Sequence, residues 1–425
     1  MEVAQIIIEL LASEKEFAAI KRLKLKLDSL SLFKEYNLQQ LFLCEFLLQH
    51  FDEAAPNYRS SLEPYLFGIG RFVPVGHRNA AGCFVKGLVH RINEFLKGFL
   101  VICQSGCPDD PISNGVVTDQ VNSYFAMRKI STKRDQNGIV RLELNNKAYF
   151  QFGPLDQGWW PDGLYTAPSD EALKYDIQKT KDFGFNMICK HVKVEPARWY
   201  THCDQLGILV WQDMPSGDES PQWQHHNYFN GNELNRSLES ENNYRKEWKE
   251  IMDYLISNPC IVAWVPFNEA WGQFKTAEIV EWTKTHDPSR LVNPASGGNH
   301  YPVGDMLDLH NYPGPEMYLY DGQRPTVLGE YGGIGLALEG HLWASDKNWG
   351  YVQFKNSKEV TDEYVKYGEA LLKMIKTGFS AGVYTQTTDV EGEVNGLLTY
   401  DRKVIKIDEK RVREINQKIC KSLNE

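Results

Sequence analysis

The chain has 425 residues, of which 42% are hydrophobic, and this length suits one large domain of barrel size together with a smaller unit. It carries 46 Lys and Arg against 56 Asp and Glu, a net charge of −10, so no basic excess favours nucleic acid as a partner. Its eight cysteines are scattered along the chain, which argues against both a zinc site and a disulfide framework.

The first residues, MEVAQIIIELLASEKEF, make a poor signal peptide, because they lack a basic region and Glu9 interrupts the short apolar run. No run approaches the roughly 18 apolar residues that cross a membrane. We therefore expect a soluble protein with no membrane partner. It should be cytoplasmic by default, and secreted or periplasmic if this N-terminus is not the native one.

Residues 1–60 contain no glycine and a single proline, and their apolar residues recur at helical spacing. This pattern predicts two or three amphipathic helices, which form either a helical core unit, the favoured interpretation, or a surface that binds a partner. The loop-like composition of CQSGCPDDPISNGVV places a boundary near residue 115. We expect a helical segment of unknown role over 1–115, a β linker or hairpin over 116–145, and the large domain over 146–425.

Beyond this boundary, an Asn145-Asn146-Lys147 turn indicates a hairpin that leads into the first core strand. Eight strand candidates then alternate with helical patterns, which predicts an α/β protein with a (β/α)₈ TIM barrel preceded by the smaller, mainly helical segment. A doubly wound sheet is the alternative, although no G-x-G-x-x-G sequence follows a strand. The strand candidates are AYFQFG, FNMICK, GILVWQDM, IVAWVPFNE, LVNPAS, MLDLHNY, TVLGEYGG and SAGVYTQ, and the helical patterns cover 169–183, 195–206, 239–257, 274–286, 359–377 and a stretch from about 405.

Two glutamates close strand candidates of this barrel, where catalytic groups normally lie. Glu269, preceded by Asn268, ends the fourth candidate and Glu330 ends the seventh, so the two can face one another across the mouth. Paired carboxylates are what glycoside hydrolysis requires, since one protonates the leaving oxygen while the other attacks or activates water. The alternative is that each glutamate caps a helix or pairs with a lysine or arginine.

Aromatic residues fall at or near the same strand ends, where their rings could stack on sugar faces. The presence of aromatic residues near the two glutamates favours the glycosidase hypothesis. The residues are Trp264, Trp271, Tyr312, Tyr331 and Tyr384.

Five stretches of the chain resemble the catalytic barrel of glycoside hydrolase family 2, which contains β-galactosidases, β-glucuronidases and β-mannosidases. The similarity runs from about residue 118 to 405, and the Asn-Glu and Glu-Tyr-Gly signals are specific. The stretches are GPLDQGWWPDGLYTAP, GFNMICKHVKVEPARWYTHCDQLGILVWQDMPSG, NPCIVAWVPFNEAWGQ, TVLGEYGG and YTQTTDVEGEVNGLLTYDRK.

The resemblance implies a retaining two-carboxylate mechanism that needs no cofactor, with a β-linked carbohydrate as substrate. Glu269 matches the general acid/base, Asn268 the amide that binds the 2-hydroxyl, and Glu330 the nucleophile. His310 and Tyr312 lie where the family positions substrate and nucleophile, and hydrogen bonds from Tyr312 or a nearby cation would keep the nucleophile ionised. We rank a β-galactosidase above a β-glucuronidase.

Two physical requirements follow from these roles. The acid/base must be protonated at rest, so we expect the apolar surround of Trp264, Phe267 and Trp271 to raise the pKa of Glu269. A β-glucuronidase would need a cation for the substrate carboxylate, for which Lys190 and Lys193 are candidates.

The chain departs from the family pattern in two places. Cys189 stands where the resemblance implies an arginine that helps hold the nucleophile ionised, and a thiol cannot replace a guanidinium. Residues 1–115 resemble neither the sugar-binding sandwich nor the immunoglobulin-like domain that the family places before its barrel. The competing hypothesis is therefore a catalytically impaired barrel that binds carbohydrate or serves as a scaffold.

Further polar and aromatic residues have two interpretations each. His191 is either a substrate ligand or a structural histidine, and Asp213 either contacts sugar hydroxyls or orients neighbours. Trp159-Trp160 line the pocket or pack in the barrel floor. His225-His226 has no third ligand at metal spacing, so we expect a polar loop and no metal site. The sequence does not indicate an oligomeric state.

Overall fold

The computed structural model of the protein describes residues 103–105, 112–113, 116–117, 123–228 and 231–423. Backbone contacts divide the chain into two compact units, Met1–Met127 and Arg128–Glu425. The helices predicted within residues 1–60 lie outside the described residues.

In the first unit, short strands pair in two antiparallel sets. β1 pairs with β4, and β2 pairs with β3. The strands are β1 (Cys103–Ser105), β2 (Ile112–Ser113), β3 (Val116–Val117) and β4 (Ser123–Phe125).

The second unit begins with an antiparallel sheet of β5 (Ile130–Arg134), β6 (Val140–Leu144) and β7 (Lys147–Ala148). Asn145 and Asn146, with φ of 54° and 63°, make the tight turn between β6 and β7, as the sequence predicted. Arg141 in β6 donates to the carbonyl of Phe379 at 2.6 Å, at the start of a barrel strand. The sheet therefore covers the amino-terminal end of the barrel.

Eight parallel strands form the barrel, and their sheet order is β12-β11-β10-β9-β8-β17-β14-β13. The (β/α)₈ prediction is confirmed. The strands are β8 (Gln151–Asp156), β9 (Met187–Lys190), β10 (Leu209–Asp213), β11 (Ile261–Val265), β12 (Leu291–Val292), β13 (Leu307–His310) and β14 (Thr326–Gly332); the short pair β15 (Ile334–Gly335) and β16 (Val352–Gln353) then precedes β17 (Phe379–Thr385).

The seam between β12 and β13, the two ends of this sheet order, is closed by loop and side-chain hydrogen bonds. The Asp305 N–H donates to the carbonyl of Val292, and the Val292 N–H donates to the Asp305 carboxylate, both at 2.8 Å. Asn293 donates to Asp308 at 2.5 Å. The barrel is therefore closed through polar side chains at this point, and these side chains lie near the strand ends.

Helices pack around the barrel close to the predicted ranges. Ser169, Ser237, Asn356 and Asp408 cap four of them by accepting a backbone N–H. The described residues 293–306 and 311–325 contain no helix, as the sequence pattern indicated. The helices are α1 (Asp170–Asp182), α2 (Ala197–Leu206), α3 (Leu238–Leu255), α4 (Thr276–His286), α5 (Ser357–Ile375) and α6 (Glu409–Lys421).

The strands alternate between two apolar environments. Residues such as Met187, Cys189, Leu209 and Trp211 form a cluster inside the barrel. Their neighbours Ile188 and Val210 pack outward against the helices. Successive side chains of a strand point alternately into the barrel and toward the helices. A polar side chain that points inward near the end of a strand therefore lies below the mouth.

Within the described residues, no helix combines the length and the apolar character that a membrane span requires.

A buried ion pair ties the loop after α4 to the barrel. Arg290 contacts the Asp287 carboxylate at 2.7 Å, and Trp264 donates to the same carboxylate at 2.8 Å. Arg290 also donates to the carbonyl of Ile261 at 2.9 Å. Burial alone would raise the pKa of Asp287, but the charge of Arg290 and hydrogen bonds from Ser289, Trp264 and Arg290 lower it overall.

Replacing Asp287 by asparagine should lower the free energy of unfolding by roughly 3–5 kcal/mol, because Arg290 would keep its buried charge without a carboxylate to balance it. Urea titration followed by tryptophan fluorescence measures this loss. The matched control is Asp362→Asn, which breaks contacts with the exposed Lys358 and the partly exposed Arg411 and should cost at most about 1 kcal/mol. Equal costs for the two variants would contradict the assignment of Asp287 as a structural anchor.

Candidate active site

The carboxyl ends of several strands converge at the mouth of the barrel and carry polar side chains. Glu269 follows β11, His310 ends β13, Glu330 lies near the end of β14, and Thr385 ends β17. Parallel strands present their carboxyl ends at one rim, so residues far apart in sequence meet there.

Glu269 lies in a strained turn at its strand end. Its φ is 48° and that of Ala270 is 66°. This left-handed conformation costs a non-glycine residue roughly 1–2 kcal/mol. The Glu269 N–H donates to the carbonyl of Ser296 at 2.8 Å, which holds the turn in place. The glutamate side chain is thereby directed to His310.

His310 lies between the two glutamates. Its Nδ1 is 2.9 Å from Oε1 of Glu269 and 3.5 Å from Oε2 of Glu330, and its Nε2 is 2.9 Å from Oγ of Ser296. Gly297 makes room for the ring, because a Cβ at this position would lie 2.0 Å from Cγ of His310. The imidazole is therefore fixed on both sides.

Glu330 receives the hydrogen bond expected from Tyr312. The Tyr312 hydroxyl donates to Oε2 of Glu330 at 2.6 Å and lies 2.7 Å from the Thr385 hydroxyl. The Tyr312 ring stacks on Tyr351 with 3.7 Å between the ring centroids. The phenol is thus held against Glu330 from two directions.

His191 and Asp213 extend the site on the side of β9 and β10. Nδ1 of His191 is 3.3 Å from the Asp213 carboxylate and 3.9 Å from Oε1 of Glu330. Asp213 also accepts the Val192 N–H at 3.2 Å, so it holds the chain that carries His191. The structure therefore places His191 beside Glu330, and Asp213 beside His191.

Asn268 and Trp271 flank Glu269 differently. Asn268 is buried, and its Nδ2 has no hydrogen-bond partner within the described part of the chain. Trp271 is 44% exposed, and its ring lies edge-on to His191 at 6.0 Å between centroids. Asn268 therefore supplies an unused hydrogen-bond donor beside Glu269, and Trp271 supplies an exposed ring at the mouth.

The expected increase in the pKa of Glu269 is wrong for this structure. Burial does act to raise that pKa, but the hydrogen bond from His310 and the positive charges of His310 and His191 lower it overall. Phe267, one of the residues expected to desolvate Glu269, packs instead on Tyr244 and Phe274. The imidazole of His310, next to the Glu269 carboxylate, accounts for the difference.

The pKa values of Glu330 and His310 are both raised. Burial and the charge of Glu269 raise the pKa of Glu330 to about 7, against the opposing effect of His310. The pKa of His310 rises to about 9, because the charges of Glu330, Glu269 and Asp308 outweigh its burial. Each group therefore depends on the charge of the other two.

Cys189 lies among the barrel-interior residues, where its thiol donates to Asp213 with a sulfur–oxygen distance of 3.9 Å. Burial and the charges of Asp213 and Glu330 raise its pKa well above the usual range, so the thiol stays neutral. The cationic neighbours of Glu330 are instead the imidazoles of His310 and His191.

Three aromatic residues expected to face a sugar are buried elsewhere. Trp264 packs against the helices on one side of the barrel, and Tyr331 and Tyr384 pack against α5 and α6 on the other. Their strand positions face outward, so the prediction of stacking for them is wrong. Trp160 is also buried, with the Arg402 guanidinium over its ring at 3.9 Å, whereas Trp159 contacts Tyr165.

The loop after β10 contributes an exposed aromatic surface that the sequence analysis treated only as a polar loop. The Trp223 indole donates to the carbonyl of Gly297 at 2.8 Å, directly beside His310. Trp223 stacks on His225 and His226 stacks on Tyr318, with centroids 4.2 Å and 4.4 Å apart. Aromatic rings therefore line the side of the mouth that is formed by the loop after β10.

Ser296, Asp308 and Thr385 were also missed. Thr385 ends β17, Ser296 lies in the loop after β12, and Asp308 lies within β13. Small polar residues at such positions are too common for the sequence to single them out. Ser296 donates to Asp308 at 2.7 Å, and a Cβ on Gly329 would lie 2.1 Å from that carboxylate.

The side chains of Glu269, His310 and Glu330 offer one nitrogen and two carboxylate oxygens within 4.8 Å of one another. Hydrogen bonding accounts for this arrangement, since the imidazole nitrogen already bridges toward both carboxylates. We therefore interpret the group as a proton-sharing cluster.

Residues 166–406, more than half of the chain, match the family model described as Glycosyl hydrolases family 2, TIM barrel domain. The chain belongs to glycoside hydrolase family 2. The resemblance inferred from the motifs is confirmed.

Curated relatives of this family 2 chain include two bacterial β-galactosidases. That of Psychromonas ingrahamii is 28% identical over 257 residues, which cover 56% of this chain and 23% of the relative. That of Vibrio cholerae is 28% identical over 196 residues, covering 42% and 18% respectively. The family 2 chain thus spans about a fifth of the length of these relatives.

Solved structures share the fold of the family 2 barrel. A β-glucuronidase from Bifidobacterium dentium complexed with coumarin-3-O-glucuronide gives a TM-score of 0.53 at 16% identity, covering 72% of this chain and 52% of that one. A family 2 β-galacturonidase from Eisenbergiella tayi bound to galacturonate gives 0.52 at 17% identity, covering 70% and 56%. At these identities, the likeness establishes the fold alone.

Proposed function

We propose that the chain is a retaining β-glycosidase that hydrolyses O-glycosidic bonds of β-galactoside-like substrates without a cofactor. The observation that carries this proposal is the spacing of Glu269 and Glu330, which offer carboxylate oxygens within 4.8 Å of each other. Retaining enzymes hold their two carboxyl groups about 5–5.5 Å apart, whereas inverting enzymes need about 6.5–9.5 Å to admit a water between them.

The two glutamates differ in ways that support different roles. The Glu330 side chain is 8% exposed and lies deeper, with Tyr312 donating to it, which suits a fixed nucleophile. The Glu269 side chain is 18% exposed and lies beside the ring of His310, which suits an acid/base that meets the leaving group and water. Asn268, with its unused buried amide, is placed to hydrogen-bond a substrate hydroxyl.

His191, Asp213 and Trp271 complete the proposed sugar pocket. His191 and Asp213 offer polar atoms next to Glu330, and Trp271 offers an exposed ring face for a sugar. Carbohydrate sites combine hydrogen-bonding side chains with aromatic surfaces in this manner.

The lysines considered for a glucuronate carboxylate are already paired. Lys190 lies 2.9 Å from Asp156 and 2.5 Å from Glu195. Lys193 donates to the carbonyl of Gly158 at 2.7 Å and lies 2.9 Å from Glu195. A substrate carboxylate at this place would meet Asp156 and Glu195 as well, so these contacts favour an uncharged sugar.

The competing hypothesis of an impaired, carbohydrate-binding barrel rests on Cys189, which supplies no charge to Glu330. Against it, His310 and His191 provide positive charge at that carboxylate. A mechanism-based 2-deoxy-2-fluoro-β-galactoside distinguishes the two, because only a working nucleophile becomes covalently labelled. Labelling of Glu330 detected by mass spectrometry would exclude the binding-only hypothesis.

Glu330→Gln should lower kcat/KM for aryl β-galactosides by at least about a thousandfold, because the nucleophile is lost. Glu269→Gln should impair an alkyl β-galactoside by about 10²–10⁴-fold and a dinitrophenyl β-galactoside much less, since an activated leaving group needs little protonation. Steady-state kinetics with both substrates measures the difference. The surface variant Glu414→Gln serves as control, and parental rates in both active-site variants would refute the assignment.

A panel of nitrophenyl β-glycosides tests the sugar preference. We expect kcat/KM for the β-galactoside to exceed that for the β-glucuronide by at least about tenfold, or roughly 1.4 kcal/mol. Lys193→Met should leave this ratio unchanged. Faster hydrolysis of the glucuronide, with its selective loss in Lys193→Met, would assign Lys193 to a substrate carboxylate and overturn the preference.

A further inference from the structure

A continuous chain of hydrogen bonds leads from a buried aspartate to Glu269. Ser296 donates its hydroxyl proton to Asp308 at 2.7 Å, and its oxygen lies 2.9 Å from Nε2 of His310. Nδ1 of His310 lies 2.9 Å from Oε1 of Glu269. Asp308, Ser296 and His310 are all buried, so water does not compete for these contacts.

This chain determines which nitrogen of His310 carries a fixed proton. A serine hydroxyl has one proton, and Asp308 accepts it, so the serine oxygen is left as an acceptor for Nε2–H. Nδ1 then faces Glu269 with one further proton between them. That proton belongs either to His310, which is then a cation beside a carboxylate, or to Glu269, which then donates to a neutral imidazole.

We propose that His310 holds the proton that Glu269 delivers to the leaving group, and that Ser296 and Asp308 position the imidazole for this transfer. The proposal rests on the glycosidase function proposed above. It identifies His310 as a positioning residue that acts through Glu269, in addition to any contact with the sugar.

The proton balance of the reaction closes with this assignment. As substrate binds, the proton moves from Nδ1 to Glu269. The Glu330 carboxylate then attacks the anomeric carbon, the bond to the leaving oxygen breaks, and that oxygen takes the proton from Glu269. Water next attacks the glycosyl ester and gives its proton to Glu269, while Glu330 departs as a carboxylate. The Glu269–His310 pair again holds one proton.

The surroundings of His310 favour a retained proton. Negative charge comes from Glu269, Glu330 and Asp308, whereas burial lowers the pKa of His225 and His300, so these two histidines are neutral above pH 7. The titratable groups that face the imidazole or its two carboxylate partners are Glu269 after β11, Glu330 on β14, Asp308 on β13, Cys189 on β9, His191 after β9, His225 in the loop after β10, His300 in the loop after β12, Tyr312 and Tyr318 in the loop after β13, and Tyr351 before β16.

These groups define a pH window for activity. Below about 7, the pKa of Glu330, the nucleophile gains a proton and cannot attack. Above about 9, the pKa of His310, the Glu269–His310 pair loses its shared proton and cannot protonate a leaving group. Since kcat/KM reports the free enzyme, its profile for an alkyl β-galactoside should be bell-shaped between these values.

Kinetics of His310→Gln tests the proposal. We expect kcat/KM at pH 8 to fall by about 100-fold for an alkyl β-galactoside and by less than about tenfold for a dinitrophenyl β-galactoside. The basic limb for the alkyl substrate should move down by at least one pH unit, because a carboxyl group would then hold the last proton. Ser296→Ala should reduce the rate in the same substrate-dependent manner. His341→Gln, at a partly exposed histidine paired with Asp401, is the matched control.

An equal loss with both substrates, or an unmoved basic limb, would overturn the proposal, because a purely structural role predicts those results. Thermal unfolding of each variant confirms that it folds. A chelator in every assay ensures that bound metal ions do not cause the differences in rate.

Nuclear magnetic resonance of ¹⁵N-histidine-labelled protein supplies a readout that does not need turnover. The His310 signal, assigned by its loss in His310→Gln, should titrate near pH 9 in the full chain and at least one unit lower in Glu269→Gln. An unchanged titration midpoint of His310 in Glu269→Gln would show that the two residues do not share a proton, and would overturn the proposal. If no β-glycoside is cleaved but the midpoint shifts, the proposed function fails while the proton-sharing pair stands.

Discussion

Two carboxylates within 4.8 Å of each other, one of them buried and the other largely buried, repel one another and lose solvation, so they persist only if positive charge or a shared proton lies nearby. His310 meets this constraint by placing Nδ1 between Glu269 and Glu330. Much of the mouth is organised to keep the ring there. Gly297 leaves space for it, Ser296 fixes its far nitrogen, and the Glu269 turn is bonded to the same Ser296.

These supporting residues come from the least regular part of the barrel. The seam between β12 and β13 lacks a strand ladder, and loop residues with the side chains of Asn293, Ser296 and Asp308 close it. No helix follows either strand in the described residues 293–306 and 311–325, so the chain there is free to form the site. The polar groups that close the barrel are thus the groups that orient the imidazole, which joins the stability of the fold to the geometry of the site.

Within the barrel, the sequence was sufficient to locate the strands and helices. Strand alternation places Glu269, His310 and Glu330 at one rim, and the caps and apolar spacing locate α1 to α6 within a few residues. The sequence could not reveal the direction of the Glu269 pKa, because that depends on a contact between residues 41 positions apart. Nor could it separate Trp271, which is exposed, from Trp264, which faces the helices; a shift in the pairing register between β10 and β11 lies just before this region. Cys189 was recognised as a departure, but its consequence depends on the imidazoles that the fold brings to Glu330.

The stereochemistry of the first product tests most directly whether Glu330 acts as a nucleophile at the short carboxylate spacing. Proton NMR of an early reaction with an aryl β-galactoside resolves the anomeric signal before mutarotation. If Glu330 is the nucleophile, β-galactose appears first and the α-anomer forms later by mutarotation. Initial release of the α-anomer would show that water attacks directly, which would contradict the nucleophilic role of Glu330.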